Sequence, residues 1–330
     1  MSAEGSQSLL NRRDFLARAA KSGAAIGAAA GLSFWRHDPH GPGASNHADS
    51  ISLPDFSIPG VGRRLSIVTG SDRVRTVGRA LAALGGIGQF VKRGDRVLLK
   101  VNAAFASPPS LGATTHPALA GEVARLCFAA GAASVTVTDN PINDPVSCFR
   151  LSGLEQAVGA AGARLVLPSD SQFRPVTVAG ARLLKDWPVL AGPFPGVAKV
   201  IGLAPLKDHH RSGASMTMKN WYGLLGGPRN IFHQDVHTLI LELAMMVRPT
   251  LVILDGTTTM MTNGPTGGSL DDLKATNTMI ASTDQVAADA FGATLLGKSP
   301  AALPFIIRAA EAGLGTADFE SLHPLREGII

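Results

Sequence analysis

Residues 96–140 decide the fold, because RVLLKVN (96–102) and SVTVTDN (134–140) stand on either side of a helical segment at 117–130. RVLLKVN is a short, continuously apolar run of the kind that a parallel sheet buries on both faces. The helical segment ends at Gly131, shortly before the next strand begins. This alternation of strand and helix patterns predicts β-α-β connectivity, which is typical of parallel sheets.

The same alternation continues on both sides of this stretch. Further strands are predicted at residues 65–70, 164–168, 198–207, 250–256 and 279–283, and helices at 74–84, 151–161, 215–224, 235–247, 284–296 and 301–312. Residues 169–196 break the rhythm and predict an antiparallel hairpin with Gly180 near its turn. We therefore expect an α/β fold: a mostly parallel open sheet with helices on both faces and a small antiparallel hairpin insertion. It forms one domain at 65–330, after an extended lead-in at 49–64.

The composition is that of a folded globular protein and argues against one class of partner. The 330 residues are 45% hydrophobic and 17% charged, and the net charge of +5 is small for this length. Several basic residues lie in the first 36 positions, no Lys/Arg run follows, and aromatic residues make up only 5%. A nucleic-acid partner is therefore not expected.

The N-terminus carries the pattern of an export signal. The sequence RRDFL at 12–16 precedes an Ala/Gly-rich, mildly apolar segment at 19–35. This order resembles a twin-arginine (Tat) signal peptide. An amphipathic surface helix is the alternative, but no polar face recurs through residues 23–32.

The Tat resemblance implies a location and a partner. Residues 1–48 would be a signal peptide and linker, read by the Tat translocase. The mature domain would be periplasmic or otherwise extracytoplasmic, and retained at the membrane where the signal is not cleaved. We do not expect the mature domain to span the membrane. The apolar segment at 19–35 is itself short for a membrane span and rich in Ala and Gly.

The two cysteines, Cys127 and Cys148, fit no CxxC or ferredoxin-type spacing. Cys127 lies inside the apolar helical pattern EVARLCFAAG. An oxidising compartment would allow the two to pair, but two buried free thiols are the favoured interpretation.

Polar side chains follow the predicted strands where they end. They are Lys100, Asn102, Asp139, Asn140, Lys207, Asp208, His209, Asp255 and Asp284. The carboxyl ends of parallel strands share one edge of the sheet, where loops form a crevice that binds ligands. An Asp in this position can instead cap the next helix, and capping is the favoured role for Asp284. A lysine cannot cap a helix in this way, so Lys100 and Lys207 indicate a site.

An ordered set of motifs runs through residues 63–297: KVN (100–102), TTHP (114–117), LKDHH (206–210), MKNWYGLLGG (218–227), His233, VILDGTTTMMTNGPTGG (252–268) and ASTDQVAADAFGATLLG (281–297). Together they resemble the bacterial domain-of-unknown-function 362 family. The resemblance implies an α/β fold, a Tat signal in many members, and an attached Cys-rich ferredoxin-like module in many. This chain lacks those cysteines, so an iron–sulfur cluster is not expected.

The resemblance also implies a set of shared polar positions. They are Lys100, Asn102, Thr115, Lys207, His209, Lys219, Asn220, His233, Asp255, Asn263, Gly264, Pro265, Asp284 and Asp289. His116 and His237 lie outside this set.

These residue types favour a small anionic ligand. Three lysines at one crevice would concentrate positive potential, and the glycines of NGPTGG (263–268) let backbone amides approach a ligand. The predicted ligand-binding residues are Lys100, Asn102, Thr115, Lys207, Asn220, Asn263 and Gly264. The predicted catalytic residues, which would move protons, are His209, Lys219 and Asp255.

The histidines offer a competing interpretation. His209 and His233 are candidate ligands for a divalent metal, which Asp208 or Asp255 could complete. His237 stands four residues after His233, but HQDVH lacks the glutamate of a zinc-protease motif. Three hypotheses stay open: an exported enzyme acting on a small carboxylate or phosphate, a metal- or cofactor-dependent redox protein, and a non-catalytic module that binds a small anion or a partner.

Overall fold

Ten strands form two sheets in the part of the chain that this computed structural model describes, which comprises Arg13 and residues 50–329. The strands are β1 (Leu65–Thr69), β2 (Arg96–Lys100), β3 (Ser134–Thr138), β4 (Arg164–Leu165), β5 (Phe173–Val176), β6 (Trp187–Leu190), β7 (Lys199–Lys207), β8 (Leu251–Met260), β9 (Leu273–Ser282) and β10 (Leu325–Gly328). The large sheet has the order β10-β1-β9-β8-β7-β2-β3-β4, while β5 and β6 form the small one.

Parallel pairing dominates the large sheet. β2 is parallel to β3 and β7, β7 is parallel to β8, and β1 is parallel to β10. β9 runs antiparallel to both of its neighbours, β8 and β1. The β5–β6 pair is antiparallel and lies within the predicted hairpin at 169–196. The predicted α/β class, with a mostly parallel sheet and a small antiparallel hairpin, is confirmed.

Helices connect the strands in the predicted alternation. They are α1 (Arg73–Ala83), α2 (Pro117–Ala129), α3 (Pro145–Leu151), α4 (Leu154–Ala160), α5 (Thr217–Asn220), α6 (Val236–Met246), α7 (Gln285–Leu295) and α8 (Pro304–Glu311). Side chains cap several of them: Asp72 accepts the N–H groups of Val74 and Arg75 at the start of α1. His116, outside the shared family positions, caps α2 by accepting the N–H of Ala118.

The helices cover both faces of the sheet, because side chains alternate along each strand. In β2, Leu98 belongs to one apolar core, whereas Val97 and Leu99 belong to the other. The first, which we call core A, packs the hairpin and α5 to α8 against the sheet. The second, core B, packs α1 to α4 against the opposite face. A residue's position within its strand therefore decides which of the two cores its side chain meets.

β9 differs from the sequence expectation in length and direction. It begins at Leu273 rather than near residue 279, and it turns back along β8 from the loop at 261–272. Its first half, LKATN, lacks the apolar run that would have marked a buried strand. Because β9 is antiparallel, Asp284 lies at the sheet edge opposite the carboxyl ends of β2 and β7, so grouping it with the crevice residues was wrong. Asp284 caps α7 by accepting the N–H groups of Val286 and Ala287.

Two further observations concern the ends of the fold. β10 was not predicted, because LREG is short and polar and pairs only with β1 at the sheet edge. Among the described residues, no helix is both long and apolar enough to cross a bilayer. Residues 14–49, where most of the Tat-like pattern falls, lie outside the described residues.

Candidate anion-binding site

A cavity of about 80 Å³ lies where β2, β3 and β7 end, beside α5. We call it the lysine pocket. Its lining includes nine polar residues that the sequence assigned to strand ends or family motifs: Lys100, Asn102, Asp139, Asn140, Lys207, His209, Lys219, Asn220 and His233. Residues far apart in sequence meet here because parallel strands share their carboxyl edge.

The ammonium of Lys100 is engaged by partners within the protein. Its Nζ lies 2.7 Å from Asp139 Oδ1 and donates to Val101 O at 2.8 Å and to Asn220 Oδ1 at 3.1 Å. The second carboxylate oxygen of Asp139 accepts the N–H of Ala103 at 2.6 Å. Burial lowers the pKa of Lys100, and the Asp139 carboxylate opposes that shift. Lys100 and Asp139 therefore form a buried ion pair that fixes the floor of the pocket.

Asn220 braces this floor. Its Nδ2 donates to Lys100 O at 3.3 Å and to Leu203 O at 3.2 Å, so it ties α5 to the end of β2 and to the middle of β7. Gly223 leaves room for the ion pair, because a Cβ there would lie 1.9 Å from Asp139 Oδ1 and 2.6 Å from Lys100 Nζ. The MKNWYG segment is thus shaped around the buried charges.

Lys207 is held by backbone carbonyls. Its Nζ donates to Ala113 O at 2.6 Å and to Pro265 O at 3.2 Å, and it lies 5.3 Å from the centroid of the Phe105 ring. Burial, followed by the nearby charge of Lys219, lowers the pKa of Lys207 to about 7. No carboxylate within the described residues pairs with this ammonium.

Lys219 differs from the other two lysines because nothing accepts its protons. It is only 8% exposed, yet no oxygen of residues 50–329 accepts a hydrogen bond from its Nζ. The ammonium lies 4.9 Å from the centroid of the Tyr222 ring. Burial, followed by the charges of Arg229 and Lys100, lowers the pKa of Lys219 to about 8. The ammonium lines the cavity, where its protons are open to a ligand or to solvent, and an anion would supply the acceptor that the protein does not.

Arg229 is a fourth cation, which the sequence reasoning missed. Its guanidinium donates to Leu225 O, Asn140 O and Pro141 O, each at 2.9 Å, and none of these acceptors carries a formal charge. Lys100, Lys207, Lys219 and Arg229 therefore face one lining carboxylate, that of Asp139. The only sequence signal for Arg229 was its position just after the glycines of MKNWYGLLGG.

His209 acts as a neutral hydrogen-bond donor. Its Nδ1 accepts the backbone N–H of Arg211 at 3.2 Å and of Ser212 at 3.3 Å, so the ring hydrogen is assigned to Nε2. Burial, followed by the charge of Lys219, lowers the pKa of His209 to about 2. The ring offers an N–H to a ligand and does not serve as a base near neutral pH.

His233 has the opposite arrangement. Its Nδ1 lies 3.2 Å from Asn230 O, a group that can only accept, so the hydrogen is assigned to Nδ1. Nε2 therefore keeps a lone pair. The hydroxyl of Tyr222 lies 3.4 Å from the same Nδ1 and donates to Arg229 O at 2.7 Å. Burial lowers the pKa of His233, so the ring is neutral near pH 7 and the lone pair on Nε2 is unprotonated.

The two histidines predicted as metal ligands stack at 6.0 Å between ring centroids. Across the described ranges, no group of three or more His, Cys, Asp or Glu side chains is spaced to hold a metal ion. Asp208, suggested as a third ligand, pairs with Lys298 at 2.9 Å instead. His237 packs against Phe305 with centroids 6.0 Å apart. A metal at His209 and His233 stays a prediction and would need ligands beyond these side chains.

Asp255 is not brought to the lysine pocket. β8 continues past it to Met260, so Asp255 does not stand at a strand end. Side-chain alternation puts it on the core B face, where its Oδ2 lies 2.7 Å from Arg73 Nε. Its Oδ1 accepts the N–H of Thr257 at 2.9 Å. The predicted catalytic carboxylate is thus an ion-pair partner of α1.

Thr115 supports the pocket without lining it. Its hydroxyl accepts the N–H of Asn102 at 2.8 Å and donates to Leu203 O at 2.8 Å. These two bonds join the segment that follows β2 to the middle of β7. Thr115 thereby positions Asn102, which does line the pocket.

Asn263 and Gly264, predicted to bind the ligand, do not line the pocket but precede Pro265, which does. Asn263 donates from Nδ2 to Asp272 Oδ1 at 2.6 Å, and Gly264 O accepts the N–H of His210 at 3.2 Å. A Cβ on Gly264 would lie 1.9 Å from Asp208 O, so the two loops touch through bare backbone. The next residue, Pro265, supplies the carbonyl that holds Lys207.

Asp289 holds the helix that carries Lys219. Its Oδ1 accepts the N–H of Thr217 at 2.8 Å and the Thr217 hydroxyl at 2.5 Å, and its Oδ2 accepts the N–H of Met218 at 3.1 Å. These bonds satisfy the first N–H groups of α5. Burial raises the pKa of Asp289 to about 7.

Away from the pocket, Cys127 and Cys148 are buried free thiols, as favoured from the sequence.

Two known proteins are similar to this chain, one in sequence and one among solved structures. The chain is 29% identical over 258 residues to a thylakoid-associated protein of Synechocystis sp., covering 74% of this chain and 76% of that protein. The solved lactate racemase apoprotein of Thermoanaerobacterium thermosaccharolyticum is similar at a TM-score of 0.41 and 12% identity. This chain spans 58% of that structure's length, and the likeness extends over 74% of this chain.

A family match covers most of the sheet and the whole pocket. Residues 97–294 match the family described as Domain of unknown function (DUF362). The match begins in β2 and ends in α7, so it includes every polar residue of the lysine pocket. The chain therefore belongs to the DUF362 family.

Proposed function

We propose that the lysine pocket binds a small carboxylate or phosphate, and that the chain is an exported enzyme acting on such a substrate. The observation that carries this proposal is the ammonium of Lys219, a largely buried residue whose Nζ has no acceptor among residues 50–329. The surrounding charges agree, because among the described residues four basic side chains line the pocket and Asp139 supplies the one carboxylate. An oxyanion would supply the missing acceptor and offset the excess positive charge.

The size of the pocket limits the ligand. Its volume of about 80 Å³ has room for an anion of a few heavy atoms. Pockets for drug-sized ligands start near ~300 Å³, so a nucleotide does not fit wholly inside. We expect formate, acetate, a short hydroxy or oxo acid, or phosphate to be the right class.

Each neighbouring group has a distinct role in this proposal. Lys219 and Lys207 would contact the oxygens of the anion, and the Nε2–H of His209 would add a neutral donor. The lone pair on Nε2 of His233 is the group able to take and return a proton. Proton transfer would therefore depend on His233 rather than on Asp255, which lies in the ion pair with Arg73.

A thermal-shift titration with phosphate, acetate and formate tests the binding step. An anion at ten times its Kd should stabilise the protein by about 1.4 kcal/mol, or roughly 3 °C in Tm. Lys219→Met should abolish the shift, whereas Lys219→Arg should retain most of it, because the charge is kept. Lys185→Met, which removes the same charge from an exposed position, is the matched control. Failure of every anion to stabilise the wild-type protein would refute the pocket's role.

A non-catalytic binding module is the second candidate. It is favoured by the fact that Asp139, the single lining carboxylate, is engaged with Lys100 and Ala103. Turnover assays on any anion that binds separate the two candidates. His233→Gln should abolish turnover and preserve binding if the chain is an enzyme. A ligand that binds tightly without any turnover would favour the module.

Tat export is part of the proposal and rests on the sequence at 12–35. The thylakoid association of the Synechocystis relative fits a location at or beyond a membrane. Fusing residues 1–48 to a reporter that is active only after Tat export tests the assignment. Replacing Arg12 and Arg13 by lysine should keep the reporter in the cytoplasm, and export that survives this change would contradict it.

A further inference from the structure

We propose that Lys219 is a nucleophile whose Nζ condenses with the carbonyl carbon of a small 2-oxo acid to form an imine. The inference rests on the proposed anion pocket, since the carboxylate of the acid would be the anion that the pocket binds. It goes further by assigning a covalent role to one of the pocket's three lysines.

The contacts single out Lys219 from the other lysines of the pocket. Lys100 is tied by its ion pair with Asp139, and Lys207 donates to two backbone carbonyls, so the Nζ atoms of both are already engaged by protein partners. Lys219 has no such partner, although the residue is only 8% exposed. When it loses a proton, its lone pair is directed neither into a hydrogen bond nor into an ion pair.

The surroundings favour the amine form of Lys219. Arg229 and Lys100 are cationic, and a buried lysine beside other cations is a known way to activate this nucleophile. With a pKa of about 8, roughly one molecule in ten carries the free amine near pH 7. An exposed lysine would offer roughly two hundredfold less, because its pKa is near 10.4.

The cavity also has groups that would bind the carboxylate of a 2-oxo acid. Lys207 and the Nε2–H of His209 line the same space of about 80 Å³ and would hold the carboxylate. The carbonyl carbon of such an acid is directly bonded to the carboxylate carbon. Anchoring the carboxylate therefore places the electrophilic carbon within reach of a lysine that lines the same small cavity.

The proposed step balances without an external reagent. The lysine nitrogen adds to the carbonyl carbon, the C–O bond then breaks, and the oxygen leaves as water while a C=N bond forms. The two hydrogens of that water come from the amine nitrogen. His233, with a lone pair on Nε2, lines the pocket and can carry a proton from nitrogen to oxygen. No oxidant or reductant is consumed.

Borohydride trapping tests the proposal on the full-length protein. Glyoxylate and pyruvate are the probes, and borohydride reduces any imine to a stable secondary amine that peptide mass spectrometry can locate. We expect labelling that approaches one adduct per chain, on the peptide containing Lys219. Acetate and lactate, which have no carbonyl adjacent to the carboxylate, should give none. Excess phosphate should suppress the labelling by competing for the pocket.

Variants distinguish this reaction from anion binding alone. Lys219→Arg should lose the adduct while keeping the thermal shift caused by phosphate, and Lys185→Arg should change neither. Labelling spread evenly over exposed lysines would overturn the proposal. So would an absence of labelling in a protein that phosphate still stabilises, and in that case the anion pocket would stand. If labelling occurs at Lys219 but no anion stabilises the protein, the anion pocket fails and the reactive lysine stands.

Discussion

Replacing Gly223 by alanine tests how the pocket floor is built. Gly223 lies against the Lys100–Asp139 ion pair, whose Nζ–Oδ1 distance is 2.7 Å. A Cβ at position 223 would lie 1.9 Å from Asp139 Oδ1 and 2.6 Å from Lys100 Nζ. The backbone of Gly223 has no left-handed φ, so alanine is excluded by contact rather than by conformation.

The size of the clash sets the expected cost. Cβ atoms essentially never approach other heavy atoms more closely than 3.0 Å, so Asp139 Oδ1 must retreat by 3.0 − 1.9 = 1.1 Å or more. Asp139 cannot retreat freely, because its other oxygen holds the N–H of Ala103 at 2.6 Å. Separating one partner from a buried ion pair costs about 3–5 kcal/mol. We expect Gly223→Ala to lose about 3 kcal/mol or more, and roughly 6 °C or more in Tm.

Urea denaturation followed by circular dichroism measures this loss. Gly159→Ala is the matched control, because no atom lies within 4 Å of its future Cβ and the residue sits in helix α4. Alanine in a helix should stabilise by about 0.5–1 kcal/mol there. If Gly223→Ala differs from wild type by less than about 0.5 kcal/mol, the buried ion pair is not packed as described.

Two further predictions concern pH. Burial lowers the pKa of Lys207 to about 7 and that of Lys219 to about 8, so both lysines lose their charge as the pH rises from about 6 to about 9. Anion binding should weaken over this range, by up to about tenfold per pH unit for each lysine that must take up a proton. Titration calorimetry that finds a pH-independent Kd would contradict this. Burial raises the pKa of Asp289 to about 7, so between about pH 4 and pH 7 the unfolded chain releases a proton that the folded chain retains. The contribution of Asp289 to the stability of the folded state is therefore lost as the pH rises through this range. Asp289→Asn should therefore flatten the pH dependence of the free energy of unfolding in that window, and urea curves that run parallel to those of wild type would rule it out.

Much of the fold could be predicted from local pattern. Strands such as RVLLKVN are marked by continuous apolar runs, and helices by periodicity and by glycine at their ends. The pattern failed where packing, not local composition, stabilises a strand. LKATN in β9 is held by pairing with β8, and LREG in β10 by pairing with β1 at the sheet edge. Neither segment has a signal that would distinguish it from a loop.

The sequence by itself determined which polar residues end the parallel strands, and hence that Lys100, Lys207 and His209 share an edge with the motif containing Lys219. Only the tertiary structure decided their roles. Strand alternation turned Asp255 to the core B face, pairing it with Arg73, and the chain reversal at β9 took Asp284 to the far edge. Arg229 also lines the pocket, although its only sequence signal was its position just after the glycines of MKNWYGLLGG. The physical reason is that strand ends are set by local pattern, whereas the partner of a buried charge is set by packing between distant segments.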